Sequence, residues 1–373
     1  MLRNYKSIGL MSGTSGDGVD ASVINSNGVD QFELVKDKYF EYDSEIFNEI
    51  HSIKDKIFHF KDLNKFSDEI TNLERKITIF HAKIVKEFNF KNEDVLIGFH
   101  GQTIYHNSEE KITRQLGDAK LLSQLTKKKI VFNFRENDLL NNGEGAPLTP
   151  IFHQLIATQN KILLPVCFLN IGGISNITIV KEPIGSFNLF SKDIGPGNCL
   201  IDKWIRKNSI NKFDNNGLIA SGGKINDIIL EQAMDLYSNR INKKKKSFDT
   251  SDFDISFARG LSLEDGAATL TVFTANIVTE EISSLISKED NKCNIVLICG
   301  GGRKNNFLLS EMKKKISSKL QLKLIDDLGI NGDFIESQAF AFLTIRSILN
   351  LPFSFPETTG CSKPCSGGIL LKN

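Results

Sequence analysis

Little in this chain leans in one direction, and each absence excludes something. Its 46 Lys and Arg against 45 Asp and Glu leave a net charge of +1 over 373 residues, so no global field draws it to nucleic acid or an acidic surface. No window approaches the roughly 20 apolar residues of a membrane span. The opening "MLRNYKSIGLMSGTSG" holds an apolar stretch too short for a signal-peptide core. The expectation is a cytoplasmic protein with no membrane or nucleic-acid partner. Cysteine is sparse and scattered, at 167, 199, 293, 299, 361 and 365, unlike the dense framework of a small secreted domain. Cys361 and Cys365 lie near each other, but no second Cys/His pair accompanies them, and structural zinc ordinarily takes four ligands. Reduced thiols are expected. The basic run Lys243–Lys246 has no interleaved aromatics and reads as a solvated loop. There is no GxxxxGKS/T phosphate loop, and "GGGRKN" does not follow GxGxxG.

What is present is an ordinary globular composition, 40% hydrophobic and 24% charged, on a chain long enough for two domains. "KSIGLMSG" and "VDASVI" read as two strands around a glycine knot, and "FELVKDKYFEY" as a third. Residues 44–89 turn helical, with Leu73, Ile77, Phe80, Ile84, Val85 and Phe88 recurring at threes and fours. "VLIGFHGQTIYH" reads as a buried strand that breaks at Gly101. A helix and the strand "KIVFNF" follow, then "RENDLLNNGEGAPLTP" as a long loop, and "IFHQLIAT" as a helix. Near Pro165 the cycle restarts: "VCFLNIGGISNITIV" is strand, glycine turn, strand, repeating the opening. "FNLFSKDIGPGNCLIDKWI" and "NIVLICGGGRKNNFLLSEMKKKI" are each strand, glycine loop, helix. Further helices fall near 224–239 and 267–287, and at "IESQAFAFLTIRSIL". Strands alternating with helices, twice over, predict an α/β protein with two similar halves: residues 1–164 plus 336–373, and residues 165–335.

Four glycine-rich turns, "SGTSGDG", "NIGGIS", "DIGPGN" and "CGGG", each follow an apolar strand. Without Cβ atoms the backbone approaches an anion closely and aims several N–H groups at it. A following helix N-terminus adds favourable partial charge. One such turn means little; four point to a nucleotide, held between two related halves.

The run "GLMSGTSGDGVDA", "GFHGQT", "LGDA", "FNFRENDLLNNGEGAPLTPIFH", "LNIGGISNIT", "DIGPGNCLID", "LEDGAATLT", "VLICGGGRKN" and "PETTG" resembles, in order and over nearly the whole chain, the anhydro-N-acetylmuramic acid kinases. That resemblance implies two related actin-like (ribonuclease H-like) domains with a nucleotide cleft between them. It also implies a cytoplasmic enzyme of cell-wall recycling, with ATP, Mg²⁺ and an amino-sugar substrate, and a homodimer. The reaction would open the 1,6-anhydro ring with water and yield the 6-phosphate and ADP. Gly13, Thr14, Ser15, Gly16, Asp17, Gly18, Val19 and Asp20 would form the first phosphate hairpin. Asp17 or Asp20 would hold magnesium through water, against the plainer reading of both as turn caps. Gly172, Gly173, Gly195, Gly197 and Asn198 would line the phosphate path, and Gly300, Gly301 and Gly302 would lie under the adenosine or its ribose.

Asp193 matches the family's catalytic aspartate. It ends an apolar strand and precedes a glycine loop, where partial burial favours a basic carboxylate. Glu336 is by resemblance a second acid; its own context also fits a helix N-terminal Glu stabilised by the dipole. His100, Gln102, Arg135 and Asp138 are sugar-binding candidates, since a guanidinium can take a carboxylate in two places. A core histidine and a structural ion pair are the plainer alternatives. The chain departs from the family at Gly16, where Leu or Met is usual, at Ile194, where Thr is usual, and at Glu144 in "NGEGAP", where Gln is usual. Two other readings stay open: a same-fold kinase for a different sugar, and a nucleotide-gated binding protein without turnover.

Overall fold

A computed structural model describes residues 3–90, 93–240, 247–287 and 293–371, so the Lys243–Lys246 run lies outside the described residues. The chain opens with β1 (Tyr5–Ser12), β2 (Gly18–Ser26) and β3 (Phe32–Glu41), followed by helices α1 (Ser44–Lys54), α2 (Phe60–Lys65) and α3 (Ser67–Glu87). Then come β4 (Val95–Asn107), β5 (Ile112–Leu116), α4 (Ala119–Thr126), β6 (Lys129–Phe132), α5 (Glu136–Leu140) and α6 (Pro150–Gln159). The second cycle runs β7 (Val166–Ile171), β8 (Ile174–Val180), β9 (Leu189–Pro196), α7 (Cys199–Asn208), α8 (Leu218–Ser221), α9 (Asp227–Arg240), α10 (Leu263–Ile286), β10 (Ile295–Cys299), α11 (Asn306–Lys315) and β11 (Gln321–Leu324). Last are α12 (Ile335–Ile348) and β12 (Ile369–Leu371). The chain divides into two units. One comprises residues 1–162, 182–190 and 333–373; the other comprises 163–181 and 191–332.

The first unit's sheet has the order β12-β6-β4-β1-β2-β3, with β5 paired to β4. β1 and β2 are antiparallel, as are β2 and β3, while β4 runs parallel to β1 and β6 parallel to β4. The second unit's sheet has the order β11-β10-β7-β8-β9, with β8 antiparallel to β7, and β10 and β11 continuing parallel on its other side. Each unit thus builds three meandering strands and then adds two parallel ones beyond the first. That shared order is the ribonuclease H-like topology of the actin-like fold, and it makes the two cycles copies of one plan.

Local chemistry explains the elements. The apolar residues of β1 and β4 run nearly unbroken because both faces are covered. In α3, Ile70, Leu73, Ile77, Ile84 and Val85 turn one stripe to the core. Asp43, Asp118, Ser262 and Asn305 cap α1, α4, α10 and α11, each side chain accepting a first-turn N–H. Two glycines set how closely α12 lies on the first sheet. Gly9 and Gly98 are paired neighbours on β1 and β4. A Cβ on Gly9 would fall 2.0 Å from the Ser337 carbonyl oxygen, and one on Gly98 2.1 Å from Thr344 Oγ1. The helix backbone rests on bare strand backbone.

Four expectations need correction. β4 does not break at Gly101 but runs on to Asn107. The register against β1 slips by one residue there, a bulge that the φ of +76° at Gly101 accommodates. The segment expected as one long loop contains α5, a short helix opening at Glu136. β5 ("ITRQL") and β11 ("QLKL") are additional strands, too polar to stand out by alternation alone. Asp193 lies within β9, which continues to Pro196, rather than at its end.

Candidate active site

In the first unit the β1–β2 connection is a tight turn closed by Gly16 N–H donating to the Gly13 carbonyl at 3.2 Å. Gly16 has φ +65°, and a Cβ there would lie 2.9 Å from Ile50 Cγ2. Ile50 of α1 therefore occupies the apolar space beside the turn, and a larger residue at this position would have to displace it. Ser15 Oγ donates to Asp17 Oδ1 at 2.6 Å, and Lys54 Nζ donates to the Thr14 carbonyl at 2.8 Å, bringing a cation to the turn. Asp17, Asp20 and Glu41 lie close enough to Tyr39 to raise its hydroxyl pKa, behind burial as the largest cause. Carboxylate oxygens gathered beside a hairpin are hard ligands of the kind magnesium takes. Val19 is wholly buried in the core, and Gly18 packs on the Phe40 carbonyl and Tyr39.

The β4 bulge places His100 and Gln102. Gln102 is 0% exposed, and its Nε2 donates to the Gly13 carbonyl at 2.9 Å, so its amide braces the β1–β2 turn. Its Oε1 is buried with no protein donor. His100 Nδ1–H donates to the Gly101 carbonyl at 2.7 Å, which leaves Nε2 as acceptor for Arg135 Nη2 at 2.9 Å and Nε at 3.2 Å. Burial first, then the Arg135 charge, hold the imidazole well below its ordinary pKa. It is neutral and orients the guanidinium. Arg135 Nη1 also donates to the Gly145 carbonyl at 2.8 Å, linking this pair to the "NGEGAP" loop.

Asp138 does not join them as a sugar contact. It is 1% exposed. Its Oδ2 accepts Gly145 N–H at 2.6 Å and its Oδ1 accepts the Thr359 hydroxyl at 2.6 Å. Burial makes it an anchor for the loop, correcting the expectation of direct recognition. Glu336 is half-buried in the first turn of α12.

The second unit brings three glycine turns together. Gly172 and Gly173 follow β7; their carbonyls accept the N–H groups of Asn198 (2.8 Å) and of Gly197 and Cys199 (2.9 and 3.1 Å). A Cβ on Gly197 would lie 2.2 Å from the Gly172 oxygen. These three amides close the 172–173 and 197–198 turns on each other. Gly300, at the end of β10 with φ +79°, abuts Asn170 Oδ1 and the Ile171 carbonyl, while Gly301 is exposed and meets only the Asn198 side-chain amide. The turns collect at the carboxyl ends of the parallel strands β7 and β10, where open α/β sheets bind ligands. On β9, beyond β8 in the same sheet, Asp193 is 5% exposed, and its Oδ2 accepts Phe248 N–H at 2.8 Å. Gly195, in the same strand at φ +153°, makes room for Ile277 of α10.

Arg303 was not singled out from the sequence. It forms a two-pronged pair with Asp326, Nε to Oδ2 at 2.7 Å and Nη2 to Oδ1 at 3.0 Å, and donates from Nη1 to the Gly300 carbonyl at 3.1 Å. The guanidinium holds the Asp326 carboxyl below its ordinary pKa and stiffens the "CGGG" turn. The one available signal was its place directly after those glycines. Lys54 and Phe248, separated by many residues from the groups they touch, left no signal at all.

The family profile described as "Anhydro-N-acetylmuramic acid kinase" matches residues 5–373. The anhydro-N-acetylmuramic acid kinase of Pelagibacter ubique is 53% identical over 376 residues, covering 100% of both chains. That of Zymomonas mobilis is 36% identical, over 97% of this chain and 98% of the relative. That of Agrobacterium fabrum is 34% identical over 98% of each. With its two ribonuclease H-like sheets and its glycine turns at their strand ends, the chain belongs to the anhydro-N-acetylmuramic acid kinase family.

Proposed function

We propose that this protein is an ATP-dependent kinase of anhydro-N-acetylmuramic acid, which opens the 1,6-anhydro ring with water and phosphorylates O6 to give N-acetylmuramic acid 6-phosphate and ADP in cell-wall recycling. The observation that carries the reading is the gathering of the turns at 172–173, 197–198 and 300–302 near the carboxyl ends of β7 and β10, with Asp193 on β9 of the same sheet, four residues before the 197–198 turn. Family membership over the whole chain supports the substrate.

Asp193 acts as the base. It takes a proton from the water that attacks the anomeric carbon, while the C1–O6 bond breaks and O6 accepts the γ-phosphoryl group. Phe248 N–H fixes the carboxylate's orientation, so the proton acceptor is set before the sugar arrives. Gly13, Thr14 and Ser15 approach the phosphates, and Gln102 and Lys54 hold that turn by its carbonyls. The exposed Gly301 and its neighbours, stiffened by Arg303, carry the adenosine end. Arg135, oriented by neutral His100, reaches the lactyl carboxylate, and Glu336 is a second acid at the sugar. Asp17 and Asp20 would hold Mg²⁺, Asp17 through water, and the ion supplies charge neutralisation at the phosphates. A cytoplasmic homodimer is inferred from the family resemblance; among the described residues no helix is long and apolar enough to cross a membrane.

The test is incubation with ATP, Mg²⁺ and the anhydro sugar in ¹⁸O-labelled water. The label should appear in the anomeric hydroxyl of a sugar 6-phosphate. Label found only in inorganic phosphate would mark a plain ATPase and overturn the reading.

A further inference from the structure

The sequence argued against zinc because Cys361 and Cys365 have no second Cys/His pair. The structure supplies a third donor from elsewhere in the first unit. The two sulfurs and a carboxylate oxygen of Asp138 all lie within 4.8 Å of one another, and all three residues are buried. We propose that Asp138, Cys361 and Cys365 form a binding site for a thiophilic divalent cation, zinc being the first choice. It does not depend on the kinase assignment.

Three observations carry this. The donor set is right for the ion: thiolates select zinc over magnesium or calcium, and one carboxylate completes many mixed sites. The distances are close to fitting. Zn–S near 2.3 Å and Zn–O near 2.0–2.2 Å give tetrahedral S···O separations of about 3.5 Å. Cys365 Sγ and Asp138 Oδ1 are 4.0 Å apart, so this pair closes with a contraction of about half an ångström, and no pair in the set exceeds 4.8 Å. Finally, among the described residues the Asp138 carboxylate is buried without a cationic side chain or ion pair: it meets Gly145 N–H, the Thr359 hydroxyl and thiols. A buried carboxylate is ordinarily paired with a cation or bound to a metal.

Binding is a substitution without redox change. Each ligating thiol gives up its proton, so two protons leave per ion, and two S–Zn bonds and one O–Zn bond form. Three protein ligands leave one tetrahedral position to water. The ion would fasten α5 to the segment 359–365, which already meets the loop after α5 through Glu144 N–H to the Thr359 carbonyl (2.9 Å) and Ser362 N–H to the Asn141 carbonyl (2.8 Å).

Cobalt chloride is the probe. Added anaerobically to the reduced, metal-stripped full chain, one equivalent should produce thiolate-to-cobalt charge-transfer bands that excess zinc abolishes. Cys361→Ser and Cys365→Ser should lose the bands, and Cys293→Ser, a buried cysteine in the other unit, should keep them. Asp138→Asn should weaken cobalt binding by roughly tenfold or more, since even residues that only support metal ligands carry that much. The wild-type chain gives an independent check should a variant misfold. Loaded with zinc and titrated with an organomercurial, it should release one ion as two thiols react. Absence of the bands in folded wild-type protein, bands of equal strength in both serine variants, or a Cys361–Cys365 disulfide that persists in protein kept under reductant would each overturn the site.

Discussion

Asp193 and Asp138 are both nearly buried aspartates, yet one is assigned chemistry and the other is not. The difference is in what surrounds them. Asp193 stands on a strand beside clustered glycine turns and is fixed by one backbone N–H. Asp138 is enclosed by a hydroxyl, a backbone amide and thiols. Asp193→Asn keeps shape and removes basicity, so turnover should fall by roughly 10²–10⁴-fold, with ATP affinity by calorimetry nearly unchanged. Turnover close to wild type would remove Asp193 from the mechanism. Asp193 was singled out in the sequence because it matches the family's aspartate and stands just before a glycine loop. The burial of Asp138 was not, because its enclosure depends on Thr359 and Cys365, and contacts between distant segments leave no periodic trace. The Gln102 brace was unseen for the same reason: the Gly13 carbonyl that takes its amide lies in the distant β1–β2 turn.

At the scale of elements, apolar runs and helical spacing located most strands and helices, since those patterns follow from which face is buried. They failed where the pattern was weak. β5 and β11 are short and polar, and the bulge at Gly101 imitates a strand end because glycine also ends strands. The packing of α12 on Gly9 and Gly98 was equally unseen, although both glycines stood in the apolar runs. Gly9→Ala would drive a methyl into the backbone at Ser337 and Ala341. Neither neighbour is the flexible end of a side chain, so overpacking should cost about 1–3 kcal/mol or more. Urea unfolding measures it, and an unchanged midpoint would show that the helix lifts away without penalty.

For the molecule as a whole, the repeated strand order was foreseen from the repeated strand, glycine turn, strand pattern. The acid response was not. Three buried histidines, His81 on α3, His100 on β4 and His153 on α6, are held neutral. Burial lowers His81 to about 4 and His153 to about 3, and burial with Arg135 lowers His100. Unfolded, each titrates near 6.5, so below that pH the unfolded chain binds more protons than the folded one. Their contribution is whole above about pH 6.5 and is lost as pH falls toward the folded values, by up to about 1.4 kcal/mol per pH unit for each histidine. The urea midpoint should drop steadily from about pH 7 to about pH 5; a flat profile would contradict the buried neutral assignment.

The first sheet ends at β3, whose outer margin has no further strand among the described residues. Such a margin invites a strand from another molecule. Here the middle of β3 reads Lys36-Asp37-Lys38, with Lys38 paired to Glu87 of α3 at 2.7 Å. Any incoming chain would have to strip water from the exposed ammonium groups of Lys36 and Lys38 before gaining a single backbone bond. The protein thereby carries, within its own outermost strand, a deterrent to polymerisation that costs its interior nothing.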